Sequence, residues 1–309
     1  MNSRMQINTE PLVSIVILSW NRKDDLKLSL EKIKELTYAN KEVIVVDNAS
    51  KDGSIEMIEG YFPTVKLIKL PRNTGIEGFN VGYINAKGKY ILVLDDDSYT
   101  TADVLNKLVE KIESNEKIAV VGAQIIDPKD GKIYTKGPDD FETEYTSFWG
   151  GGALLRTKAI IECGMYDYRL FVYTNEYELC VRLMNAGYSI RYDKSTTIYH
   201  SFSPVSRFSK VKWWWGRNEI WFNLRYIPLY YLPLTLPRSF MWMLMLSRHS
   251  YKEMGYQMLG MLNGFFSFPY KERKPVKKEV LDLLIRHHWT FVPPLKFIYL
   301  YFKQKRHLR

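Results

Sequence analysis

The sequence predicts an α/β fold: a Rossmann-like mixed, mostly parallel sheet flanked by helices, followed by a helical C-terminal extension rich in aromatic and basic residues. Three observations carry that expectation. From Val13 to Asp97, short apolar runs alternate with segments of helical period, the pattern of repeated strand-helix-strand units. Each run ends in a group of polar residues, at the strand ends where an open α/β sheet binds its ligands. Charge and aromatic content then change together near Pro204, which divides the chain into a domain of residues 1–204 and a region of residues 205–309.

The first strand is read at Val13–Leu18, and a helix over residues 22–37 follows because Leu26, Leu30, Ile33 and Leu36 recur at helical spacing. Asn21 stands where that helix would be capped. Glu42–Val46, Val65–Leu70 and Tyr90–Leu94 supply the next strands, and Ile118–Ile126 reads as another buried strand. Gly53, Gly75, Gly78, Gly82 and Gly88 punctuate the loops. Residues 148–204 hold a Gly-rich strand, a short helix near Thr157–Cys163, a longer helix near Asn175–Ala186 and a β segment closing at His200.

A chain of 309 residues with 46% apolar and 25% charged residues can bury a core, which excludes collagen-like, low-complexity and wholly disordered classes. Cys163 and Cys180 make neither a disulfide framework nor a zinc array, in keeping with a reducing compartment. Met1 to Pro11 is polar and reads as no secretory signal. The net charge of +10 splits unevenly: residues 1–204 carry 25 Lys+Arg against 29 Asp+Glu, and residues 205–309 carry 19 against 5. A nucleic-acid partner would require basic residues among the loops of the first domain, so that class is set aside. An anionic membrane surface fits better. The basic segment also holds Trp213, Trp214, Trp215, Trp221, Trp242 and Trp289 with many Tyr and Phe, the mixture found at headgroup level. Tyr226–Leu236 and Phe240–Leu246 are too short, and too interrupted by Pro228, Pro233, Pro237 and Arg238, to cross a bilayer. The expectation is a cytoplasmic protein peripheral on the inner face of the cell membrane. Ordinary helices packed on the first domain are the competing reading, and self-association into a homo-oligomer stays open.

The polar strand ends supply the candidate site. Ser19, Asn21, Asp47, Asn48 and Asn73 could meet a base edge and ribose, and Arg72 a phosphate, unless they only build turns and caps. After the fourth strand come Asp95, Asp96 and Asp97. Three adjacent carboxylates repel one another, and a divalent cation, Mg²⁺ or Mn²⁺, would hold them together and neutralise a diphosphate leaving group. The plain alternative is a solvated acidic turn capping a helix from about Thr101. Glu176, near a helix start, could serve as a general base or be an exposed helix-start carboxylate. His200 could ligate metal or bond within a loop.

Together these residues resemble the family 2 glycosyltransferases, inverting enzymes with the GT-A nucleotide-sugar fold, and more narrowly their rhamnosyltransferase-like branch. The resemblance covers about residues 11–225. It rests on Val13–Arg22, Val45 to Ser54, Asn73-Thr74-Gly75, Gly78-Phe79-Asn80-Val81-Gly82, Leu94 to Asp97, Gly150 to Ala153, Phe171–Arg182, His200 and Arg217-Asn218. It implies a nucleoside diphosphate sugar donor, contacted by Asp47 and Asn48 and by the nearby Asn80, Asp95 and Asp96. It implies a metal held by Asp95, Asp97 and His200, and a glycan or lipid-linked acceptor lying against Trp149, Gly150 and Gly151. The branch usually reads Glu-Asp before the second helix, with Asp as base; here Asn175-Glu176 puts Glu176 at that position. The function implied is sugar transfer, with rhamnose a candidate sugar, in cell-surface polysaccharide synthesis. A non-catalytic scaffold of the same fold is the alternative.

Overall fold

The computed structural model describes residues 10–135, 137–201, 209–247 and 250–287. In chain order these form β1 (Val13–Ser19), α1 (Lys23–Lys34), β2 (Lys41–Asp47), α2 (Ser54–Tyr61), β3 (Lys66–Lys69), α3 (Glu77–Asn85), β4 (Tyr90–Asp95), β5 (Ser98–Thr100), α4 (Val104–Glu113), β6 (Ile118–Ile126), β7 (Ala153–Arg156), α5 (Thr157–Glu162), α6 (Asn175–Asn185) and β8 (Ser189–His200). Helices α7 (Val211–Tyr226), α8 (Leu232–Leu246), α9 (Tyr251–Ser267) and α10 (Lys278–His287) follow.

The strands form one sheet in the order β3-β2-β1-β4-β7-β6-β8-β5. The first four are parallel, β7 runs antiparallel between β4 and β6, and β6 pairs parallel with β8. Alternation along β1 sorts the core into two layers. Ile15 and Ile17 pack with Leu26, Leu30 and Val45 on one face, while Val16 packs with Ile44, Phe79 and Tyr83 on the other. A strand buried on both faces reads as a nearly continuous apolar run, which is why β1 and β4 are visible in the sequence, whereas β3 is a half-exposed edge strand.

Three details differ from the sequence expectation. Asn21 does not cap α1; its backbone takes φ 52° and its Oδ1 accepts from Lys51 N at 2.7 Å, so the residue ties the β1 loop to the β2 loop. The Gly-rich stretch Gly150–Gly152 is a turn ahead of β7 rather than part of the strand. The segment after the acidic cluster is the short strand β5, paired antiparallel with β8 so that Ser98 is the register partner of His200. Three residues carry too little periodicity to announce a strand.

The C-terminal helices pack closely on the α/β part. Ile220, Phe222, Leu224, Tyr226 and Ile227 belong to the same buried cluster as Tyr166, Leu170 and Leu179. Of the tryptophans read from sequence as headgroup-level residues, Trp214 stacks on Phe171 with ring centroids 5.0 Å apart, Trp215 stacks on Tyr173 at 4.9 Å, and Trp221 is buried. Trp289 and the boundary at Pro204 lie outside the described residues. Among the described residues no helix is long and apolar enough to cross a membrane.

Candidate active site

At the end of β4 the three carboxylates diverge. Asp96 turns toward the β1 loop, where its Oδ2 accepts from Trp20 N at 3.1 Å and its Oδ1 lies 3.7 Å from Arg22 Nε. Burial, reinforced by the charge of Asp97, pushes its carboxyl up to about 8. Asp97 is buried between Arg22 and His200: Arg22 Nη1 pairs with its Oδ2, and His200 Nε2 lies 3.2 Å from its Oδ1. His200 Nε2 is also 3.3 Å from Asp95 Oδ2. The β5–β8 register produces this meeting, because Ser98 follows Asp97 directly and pairs with His200.

Asp95, Asp97 and His200 therefore offer three ligand atoms within 4.8 Å of one another. Two carboxylate oxygens and one imidazole nitrogen fit a divalent cation that prefers oxygen, such as Mn²⁺ or Mg²⁺. The plain acidic turn does not describe this arrangement, since Asp97 and His200 are both buried.

Across a tight turn lies Glu176. A Cβ on Gly150 would fall 2.3 Å from Glu176 Oε1, and a Cβ on Gly151 would fall 2.7 Å from Asp95 Oδ2. The turn thus passes between the two groups and touches both, which only glycines allow. Trp149 closes the same corner, its ring 6.2 Å from that of His200 in an edge-on arrangement. Burial raises the Glu176 carboxyl to about 7, against its bond to its own backbone amide, and the charge of Asp95 adds to the rise. A carboxylate so placed can exchange a proton near neutral pH.

The segment leading into Glu176 is strained and held from outside. Phe171, Tyr173 and Thr174 have φ of 58°, 64° and 68°, values unusual for residues with side chains. Asn218 of α7 donates through Nδ2 to the carbonyls of Leu170 and Val172 at 2.8 Å and of Tyr173 at 3.0 Å. Arg217 donates to the carbonyl of Arg169, and its guanidinium lies 4.4 Å from the Trp214 ring centroid. The Phe171 carbonyl accepts from Ile76 N at 2.7 Å, and Gly75 (φ 63°) has no room for a Cβ beside it. One loop thereby joins α7, the β3–α3 connection and the candidate base. The sequence marked Arg217 and Asn218 as part of a resemblance but gave no sign of this clamp.

The remaining candidates spread along the strand ends. Ser19 and Asp47 are register partners on β1 and β2, and Ser19 Oγ and Asp47 Oδ1 are buried without a hydrogen-bond partner in the protein. Asp47 Oδ2 accepts from Ser50 N at 2.9 Å. Asn48 and Asn73 shape the next loop: Asn48 bonds Thr74 N and Gly75 O, and Asn73 Oδ1 accepts from Gly75 N. Both amide atoms of Asn80 engage the Tyr166 backbone, an arrangement that fastens α3 to the loop after α5. Arg72 is exposed beyond β3.

The family model described as "Glycosyl transferase family 2" matches residues 14–168, half of the chain. The chain belongs to glycosyl transferase family 2. An uncharacterized glycosyltransferase of Haemophilus influenzae is 36% identical over 108 residues, 35% of this chain and 36% of the relative. Another family relative, an uncharacterized glycosyltransferase of Rickettsia prowazekii, is 26% identical over 202 residues, 61% of this chain and 63% of the relative. The chain thus spans about one third to two thirds of these relatives' own length. The fold is shared with solved glycosyltransferases. GalNAc-T7, solved with UDP, GalNAc and Mn²⁺, superposes with a TM-score of 0.63 at 16% identity, covering 85% of this chain and 59% of that one. The family match ends at residue 168, before Glu176, His200 and Asn218, so those residues stand on the geometry described above. Arg22, which shares Asp97 with His200, was quoted in the sequence pattern without a role.

Proposed function

We propose that the chain is a metal-dependent inverting glycosyltransferase that moves a sugar from a nucleoside diphosphate sugar to a hydroxyl of a glycan or glycolipid acceptor, in cell-surface polysaccharide synthesis. Rhamnose is the candidate sugar through the resemblance to the rhamnosyltransferase-like branch. The observation that carries this reading is the placement of the Glu176 carboxylate opposite Asp95, Asp97 and His200, with only the Gly150–Gly151 turn between them.

Each group has a task in that geometry. Glu176 takes the proton of the acceptor hydroxyl at its carboxylate oxygen as the hydroxyl oxygen bonds to the anomeric carbon and the diphosphate departs. One displacement inverts the centre and needs no covalent intermediate. The Gly150–Gly151 turn allows close approach of backbone to the base on the acceptor side, and Trp149 offers an apolar ring face to the sugar. Ser19 Oγ and Asp47 Oδ1, buried and unbonded within the protein, are suited to the hydroxyls or base edge of the nucleotide. A divalent cation held by Asp95, Asp97 and His200 supplies charge neutralisation for the diphosphate. The Mn²⁺ in the GalNAc-T7 structure supports that assignment.

The experiment is nucleoside diphosphate release from a panel of nucleotide sugars with Mn²⁺, with and without chelator. Chelator-sensitive release from at least one donor is expected. A protein that binds donors yet releases nothing with any acceptor extract would be a non-catalytic scaffold, the reading left by Asn175 standing where the branch usually has Glu.

A further inference from the structure

Helices α8 and α9 bury Met243 and Met261 in the core but also bury polar side chains and display apolar ones, unlike an ordinary water-facing helix. On α8, Thr235 and Ser239 are wholly buried, and Ser239 Oγ donates to Glu219 Oε1 at 2.9 Å, while Leu234, Phe240 and Met241 are exposed. On α9, Gln257, Gly260 and Gly264 face inward, while Leu259, Leu262 and Phe266 stand out, Phe266 at 88% exposure. The two displayed faces meet at an apolar groove of about 550 Å³, with Phe240 and Met241 on one wall, Met258 and Leu262 on the other, and Ile220 of α7 between them. Contiguous apolar patches of this kind are uncommon on soluble monomers and mark a surface that something else covers.

Charge decides the occupant. From Leu229 to Tyr270 the only carboxylate is Glu253, and it lies 3.9 Å from Lys212 of α7. Arg238 stands one turn from Leu234 and from Met241, on the displayed side of α8. Lys252, Leu259 and Phe266 follow at seven-residue spacing in one row along α9, and all three are exposed. Exposed Lys271 and Lys274 come just after that row. A second copy of this chain would bring like charges together across a two-fold contact. A lipid leaflet with anionic headgroups complements both parts, hydrocarbon against the apolar side chains and phosphate against Lys and Arg.

We propose that the displayed faces of α8 and α9 dock in the plane of an anionic bilayer, inserting Leu234, Phe240, Met241, Leu259, Leu262 and Phe266 at headgroup depth without crossing it. The surface is distinct from the site around Glu176, so this inference goes beyond the proposed sugar transfer and does not depend on it. Trp214 and Trp215 take no part, being stacked on Phe171 and Tyr173 of the loop before Glu176.

The test is co-sedimentation of the full chain with vesicles of phosphatidylcholine alone and of phosphatidylcholine mixed with phosphatidylglycerol. Wild type should bind the mixed vesicles. The double variant Leu259→Ser/Phe266→Ser should bind at least roughly ten-fold more weakly, with unchanged thermal unfolding because both side chains are exposed. Lys252→Glu should weaken binding to the mixed vesicles only. Absence of vesicle binding, or binding equal in wild type and the double variant, would overturn the proposal. So would self-association in sedimentation velocity that the double variant abolishes while vesicles remain unbound, which assigns the face to a second copy. Nucleotide-sugar turnover without vesicles should be the same in wild type and both variants, which separates this outcome from failure of the proposed chemistry.

Discussion

At the scale of single residues, Gly150 and Glu176 impose opposite demands on the same space. Gly150→Ala puts a methyl 2.3 Å from the present position of Glu176 Oε1, and because the carboxylate is the end of a side chain, it can swing away rather than unfold the protein. The expected result is transfer reduced about 10²-fold with little change in melting temperature, read from steady-state kinetics beside thermal denaturation. Glu176 also sets a pH dependence. Only its ionised form accepts a proton, and its carboxyl is raised to about 7 by burial and then by Asp95, so kcat/KM should climb as pH rises toward 7. Neutralising Asp95 with Mn²⁺ moves that limb to lower pH, which a pH–rate profile at two Mn²⁺ concentrations detects. Asp97→Asn should abolish Mn²⁺-dependent stabilisation by nucleoside diphosphates in a thermal-shift assay. Stability without metal should fall modestly, since Arg22 and His200 then face an amide in place of a carboxylate.

At the scale of elements, helix α7 is the part whose contribution to the site was hidden. Its residues from Gly216 to Tyr226 are buried almost all round, so no one-sided period marks a function, and the Asn218 bonds to Leu170, Val172 and Tyr173 cross more than 40 positions of chain. Asn218→Leu keeps the size and removes the donor, leaving three carbonyls of the loop without it. A loss of about 3 kcal/mol in urea unfolding is expected, with slower transfer read from steady-state kinetics, because the loop ends at the proposed base, Glu176. The sheet, in contrast, was legible: Val13–Leu18, apolar but for the buried Ser14, and Tyr90–Leu94 are apolar runs because both their faces are covered. Strand β5 was illegible at three residues, and with it the reason that His200 meets Asp97, which is a matter of register rather than of composition. The polar loop residues were found by position, yet position did not distinguish Ser19 and Asp47, each of which keeps one buried side-chain oxygen unbonded in the protein, from Asn48 and Asn80, whose amides hold neighbouring loops.

At the scale of the whole molecule, the region after residue 204 both supports the site and carries a charge burden of its own. Glu219 is buried between α7 and α8, and burial raises its carboxyl from 4.5 to about 7 despite bonds from Ser239 and Asn223. The folded chain therefore holds a proton here that the unfolded chain releases between about pH 4.5 and 7. That contribution to stability is complete below pH 4.5 and is lost as pH rises through 7. Glu219→Gln should flatten this part of the stability profile and be more stable than wild type at pH 8, by on the order of 2–3 kcal/mol, measured by urea unfolding at pH 5 and pH 8. The −4 and +14 segments were plain in the sequence, but the stacking of Trp214 and Trp215 on the loop from Phe171 to Tyr173 was not, because tryptophans read the same whether they face lipid or protein. What the sheet ends, the glycine turn and α7 accomplish together is the placement of one protonatable carboxylate opposite a group of side chains that could hold a cation. The most direct test is the Glu176→Gln protein, compared with wild type for nucleotide-sugar turnover and donor affinity in the presence of Mn²⁺. The account predicts turnover lower by about 10²–10⁴-fold with donor affinity nearly unchanged; wild-type turnover in that variant, with chemistry rate-limiting, would contradict it.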